Sequence, residues 1–292
     1  MTLKILLLIL VFSMVLRSIL FLSITAYWPS AAYYADHLCS SIMFIAMAAA
    51  SFHQFKIDRD KLSFIVGGKI TIYQVALSAT IAILLLMLTF GESAIFTKTV
   101  AQYDIEAAYR LGKFHVEAYN SHPFFSLHVF TFIICSVIFP AIFEELFFRG
   151  LVFRSINKNK SFFLSAVLTS AIFTAIHFSK TLFIGTFLFS LALSYLYAIT
   201  GSLRTCMITH ATFNLLAFIS QYYFDFHRIR SINELNEWHH WIPELSLLAV
   251  ALIAFGWMTY ISKDAIKQAS LPALPPVEHS DERQRPAHRY SS

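Results

Sequence analysis

Charge is scarce in this chain. Of its 292 residues only 13% are Asp, Glu, Lys or Arg, 57% are hydrophobic, and the mean hydropathy is +0.63. Soluble domains carry about 25% charged residues, so the composition excludes an ordinary soluble fold and indicates a polytopic membrane protein. Cysteine is scarce too. Cys39, Cys135 and Cys206 stand apart, each inside an apolar run, with no C-x-x-C pair. That gives no support to a disulfide framework or a cysteine-built metal site. Three protease signatures are missing: H-E-x-x-H, G-x-S-x-G and an intramembrane Gly-x-Gly-Asp. No internal repeat is visible, which argues against an inverted-repeat transporter. The pI near 9.0 comes from basic residues in short loops, a signal of topology rather than of nucleic-acid binding.

What the chain has instead is long apolar runs. A spanning helix needs about 20 mostly apolar residues. Eight segments qualify: 3–26, 38–55, 70–91, 123–143 (continuing to about 155), 161–178, 181–200, 204–224 and 244–262. The expected fold is an all-α polytopic membrane helix bundle of about eight transmembrane helices. Its expected divisions are N-terminal helices and a loop over 1–122, a membrane core over 123–262, and a Pro-rich, disordered tail over 263–292. The loop 92–122 reads as mixed, with room for an interfacial helix. Lys4, Lys56, Arg59, Lys61, Lys69, Arg154, Lys158, Lys160, Arg204 and the tail fall on one side of such a bundle. Lys98, Arg110, Lys113, Lys180, Arg228 and Arg230 fall on the other. The bias puts both termini in the cytoplasm, in a multi-pass protein of the inner membrane if the source is bacterial.

Ionisable groups break the apolar runs at a few points, and groups in such places are functional candidates. In "PAIFEELFFRG", Glu145 and Arg149 are four residues apart, neighbours on one helix face that can neutralise each other. Glu144 points about 100° away and has no partner on its own helix. "FTAIH" places Phe173 and His177 on one face of the fifth helix, and "HATFN" places His210 and Asn214 on one face of the seventh. Arg17, in the first span, reads as snorkelling or as half of a buried pair. One carboxylate, two imidazoles and one carboxamide on helices four, five and seven form a sufficient kit for hydrolysis. Glu144, His177 and His210 are also zinc-ligand types. A Zn²⁺ site and a metal-free glutamate base are both open on the residues alone. At about 1.5 Å per residue, Glu144 lies about 15 Å from Arg154, Asn214 about 15 Å from Arg204, and His177 about 24 Å from Ser161. This arithmetic puts the site between the cytoplasmic half and the midplane.

The ordered set Glu-Glu-x-x-x-Arg, Phe-x-x-x-His and His-x-x-x-Asn resembles the CAAX prenyl-endopeptidase and bacteriocin-processing (Abi) family, over about 123–222. The resemblance implies an intramembrane endopeptidase. By it, Glu144 and His177 activate water, and His210 and Asn214 form the oxyanion site. Glu145, Arg149 and Phe173 support them. The implied partners are the bilayer and a hydrophobic or lipid-modified peptide substrate. Two other classes use the same polar residues: a non-catalytic immunity or scaffold protein, and a proton-coupled transporter.

Overall fold

A computed structural model describes residues 2–110, 126–177, 183–223 and 231–264. The described residues form helices and no strand. The helices are α1 (Leu3–Tyr27), α2 (Ala32–Phe55), the short α3 (Arg59–Val66), α4 (Ile72–Tyr103), α5 (Leu127–Asn157), α6 (Phe162–His177), α7 (Phe183–Thr200), α8 (Leu203–Tyr223) and α9 (Trp238–Ile261). Each of the eight apolar runs is a helix. Six are long and apolar enough to cross a membrane: α1, α2 (counted with the turn before it), α4, α5, α7 and α9. Helix α6, as described, is shorter, and α8 carries the polar Thr, His and Asn positions. The tail from residue 265 lies outside the described residues, as does the 122/123 division.

Several boundaries differ from the sequence expectation, each for a physical reason. Helix α2 begins at Ala32, not 38, because Asp36 is neutralised by an ion pair with Arg17 of α1. Helix α4 runs through the expected loop to Tyr103. Glu92 and Lys98 lie within this extension, and both find partners. Lys98 Nζ donates to the Leu235 carbonyl at 2.8 Å, and Glu92 receives two backbone N–H groups from α7. Gly91 lets α9 approach, since a Cβ there would meet Leu248 Cβ at 2.3 Å.

The core lies along α5. Phe147, Phe148, Leu151, Val152 and Phe153 are fully buried against Leu193, Leu196 and Tyr197 of α7, Leu203 and Cys206 of α8, and Met47 of α2. Outward positions of α1 and α9, such as Phe12 and Ile253, are exposed apolar groups suited to lipid. Helix α5 is not regular. Its hydrogen-bond ladder widens to π-helical turns over Ile133–Ile138 and Phe148–Phe153, on either side of the two glutamates. Such bulges concentrate at functional sites. Pro140, just after the first, has no N–H to give to the carbonyl four residues back.

Candidate active site

The glutamate pair divides as its helical spacing suggests. Arg149 Nη1 donates to Glu145 Oε1 at 2.9 Å, with both side chains fully buried. Arg149 Nη2 donates to the Ser190 carbonyl at 2.9 Å and to its hydroxyl at 2.8 Å, tying α5 to α7. The guanidinium sits 4.9 Å from the centre of the Phe173 ring, a favourable cation–π position. A third group joins them that the spacing did not reveal. His210 Nδ1 lies 2.8 Å from the same Glu145 Oε1. Glu145 therefore holds an arginine and a histidine together, inside one cluster from α5, α7 and α8.

Glu144 faces elsewhere. It is buried, and its Oε2 has no hydrogen-bond partner among the described residues. Among the described residues, His177 Nε2 lies 3.8 Å from it, beyond direct hydrogen-bond reach. His177 Nδ1 lies 2.7 Å from the Phe173 carbonyl. A carbonyl only accepts, so Nδ1 carries the proton, and the neutral ring offers its Nε2 lone pair toward Glu144. The Phe173 ring lies against the imidazole, centres 4.3 Å apart. Phe173 thus supports both Arg149 and His177.

Asn214 is fixed by the irregularity of α5. Its Nδ2 donates to the Ser136 carbonyl at 2.9 Å. That carbonyl lies four residues before Pro140, the position whose N–H is missing. One amide N–H of Asn214 remains for another acceptor.

Glu144, His177, His210 and Asn214 all line one cavity of about 430 Å³. The structure also brings residues there that sequence reasoning missed. Asp36 and His37 of α2 and Ser136 of α5 line the same wall, and His37 Nδ1 lies 2.7 Å from Ser136 Oγ. The available signal was "ADHLCSS", which reads as loop only if Asp36 is assumed unpaired. Glu92 was missed as well. It accepts the Ile184 and Gly185 N–H groups at 2.8 and 2.6 Å, capping the start of α7 beside the cavity.

The zinc alternative can be tested on this arrangement. Glu144, His177 and His210 are suitable donor types, and both histidines have Nδ1 engaged, as metal-bound histidines do. Yet among the described residues no three His, Cys, Asp or Glu side chains gather closely enough to hold a metal ion. The arrangement does not fit a three-ligand centre. The cavity runs from the Asp36 end of α2, the His177 end of α6 and the Gly185 end of α7 to Glu144 and His210, which lie nearer the Asn157 end of α5 and the Leu203 end of α8.

Residues 126–216 match the family model described as Type II CAAX prenyl endopeptidase Rce1-like. The match opens at the Ser126 cap of α5 and closes just past Asn214, so it contains all three polar motifs. Helices α1, α2, α4 and α9, with Asp36, His37 and Glu92, lie outside it. No curated protein and no solved structure matches the chain. The segment that carries the buried glutamates and histidines is thus similar to the CAAX prenyl endopeptidase family of membrane proteases.

Proposed function

We propose that this protein is an intramembrane endopeptidase in which Glu144 acts as a general base without a metal ion. One observation carries the reading: a buried carboxylate oxygen with no described partner, 3.8 Å from a histidine nitrogen whose lone pair is free. A water hydrogen-bonded to both would be oriented for attack. Its oxygen bonds the scissile carbonyl carbon while its proton passes to Glu144. The free N–H of Asn214 donates to the oxyanion, with His210, held at Nδ1 by Glu145, beside it. Cleavage of the C–N bond then sends the Glu144 proton to the leaving amine.

The substrate class follows from the setting. The cavity lies among membrane-spanning helices and sets the rings of Phe132, Phe173, Phe189, Phe213 and Phe218 beside its polar groups, which suits a hydrophobic or lipid-modified peptide segment. The experiment is cleavage of a panel of hydrophobic membrane peptides by the purified full chain in H₂¹⁸O. One ¹⁸O in each new C-terminal carboxylate is expected. Binding of the peptides with no cleavage by any preparation would favour a scaffold or immunity role instead.

A further inference from the structure

We propose that a second, apolar cavity, on a different face of α7 from the active site, holds one acyl chain of an anionic phospholipid whose headgroup lies at Lys160 and Lys263. The two cavities share no lining residue, so the proposal does not rest on the protease reading.

The second cavity has a volume of about 310 Å³ and lies among α4, α6, α7 and α9. Its floor is Ile81, Leu85 and Leu88 of α4, all buried. Their spacing makes one stripe of helix face. Ala166 of α6 and Ala192 of α7 line it as well, and their small side chains leave it width. Phe163, Leu252 and Thr259 of its lining are exposed. The cavity is therefore a groove open to the apolar surface that the bundle offers to lipid. Its lining runs over 81–88 on α4 and 188–195 on α7, in each case about 10 Å of helix. That is a third of a hydrocarbon core of about 30 Å, room for the part of a chain nearest its headgroup.

Water has little to bind there. A buried water needs about two to four polar partners, and Tyr195 and Thr259 are the polar side chains among the described lining residues. Both are committed. Tyr195 donates to the Met258 carbonyl at 3.1 Å and pairs with the Ser262 hydroxyl, and Thr259 donates to the Gly256 carbonyl at 2.9 Å. An empty groove would forfeit dispersion contacts along its walls. A hydrocarbon chain supplies them.

Charge selects the headgroup. Phe162 and Thr259 put the outer end of the groove where α6 begins and α9 stops. Two exposed lysines stand at that end. Lys160 precedes Phe162 by two residues, and Lys263 lies one helical turn past Thr259, on the same face. The Lys263 ammonium is 4.7 Å from the centre of the Tyr260 ring. Asp264, also exposed, offsets one of the two charges. The remaining positive charge favours an anionic headgroup over a zwitterionic one.

The test is photo-crosslinking of the folded full chain in phosphatidylcholine nanodiscs. These are doped with phosphatidylglycerol that carries a diazirine in one acyl chain, near the headgroup. Labelled residues are mapped by mass spectrometry. Leu85 and Leu88 should be labelled although they are buried, beside the outward Phe12 of α1, which reports the surrounding lipid. Ala192→Phe, and independently Ala166→Leu, should remove the floor labels, keep the Phe12 label and keep the unfolding midpoint. Lys160→Ala and Lys263→Ala should each lower floor labelling by up to about fivefold. Label at Phe12 with none on the floor overturns the proposal. Equal floor labelling by diazirine-tagged phosphatidylcholine overturns it too. Floor label displaced by the hydrophobic peptides of the cleavage panel would give the groove to substrate instead. Crosslinking needs no turnover, so a chain that cleaves nothing would sink the protease reading and leave the lipid site standing.

Discussion

Asn214 donates to the Ser136 carbonyl at 2.9 Å, the carbonyl whose helical partner position is taken by Pro140. The proline does more than bend α5: it leaves an acceptor for a side chain of α8, and that bond fixes the carboxamide at the cavity wall. Asn214→Ala should lower kcat by about 10²–10³, the usual cost of losing one oxyanion donor, with little change in KM. Pro140→Ala should restore a competing N–H and lower kcat less than Asn214→Ala does. Steady-state kinetics on the two variants checks the order.

The two adjacent glutamates should fail in different ways. Glu145→Gln leaves Arg149 fully buried beside a neutral amide, and breaking a buried pair costs about 3–5 kcal/mol. It should lower both thermal stability in detergent and activity. Glu144→Gln removes no described ion pair to arginine and should keep the unfolding midpoint while losing turnover. Exchange of these phenotypes would mean that the two roles are reversed.

Gly185 is a third point of leverage. A Cβ there would lie 2.2 Å from Glu92 Oε2, so Gly185→Ala must displace the carboxylate that caps α7. Overpacking of this kind costs about 1–3 kcal/mol, and the loss should be read as a lower unfolding midpoint. Combining it with Glu92→Ala should cost less than the sum of the two single changes, since they disturb one contact.

Outside the spans, Asp58 caps α3 by accepting the Lys61 N–H at 2.8 Å. That backbone bond, foremost, holds its carboxyl below the usual carboxylate range, with the Lys61 charge helping. A depressed carboxylate stabilises the fold at pH above its unfolded value, about 3.9, and the contribution disappears as pH falls through the lower folded value. Hydrogen exchange in α3 should therefore stay slow at neutral pH and rise below that window. Asp58→Ala should show the fast exchange at every pH.

The helices were legible in the sequence because lipid leaves a backbone few choices, and apolar runs of spanning length announce themselves. Their ends were less legible. Asp36, Glu92 and Lys98 look like punctuation in a linear reading, but each is satisfied by a partner from a distant segment: Arg17, the start of α7 and Leu235. The site followed the same rule. The Glu145–Arg149 pair is local and readable from a four-residue spacing, and the structure forms it. His210 on Glu145, Asn214 on Ser136 and His37 on Ser136 are contacts between helices, and no periodicity encodes them.

A metal-free reaction makes its own prediction. Activity should survive chelation, and purified protein should turn over without stoichiometric zinc. Loss of activity with the chelator, restored by Zn²⁺ and abolished along with metal content in His210→Ala, would require a ligand geometry unlike the one described.

The most direct measurement is the rate of peptide-bond cleavage by zinc-free, folded full chain, wild type beside Glu144→Gln, on the same hydrophobic peptide. The account predicts hydrolysis by the wild type and a loss of at least about 10²-fold in the variant, the scale of a positioned general base. Equal product from the two proteins would contradict it.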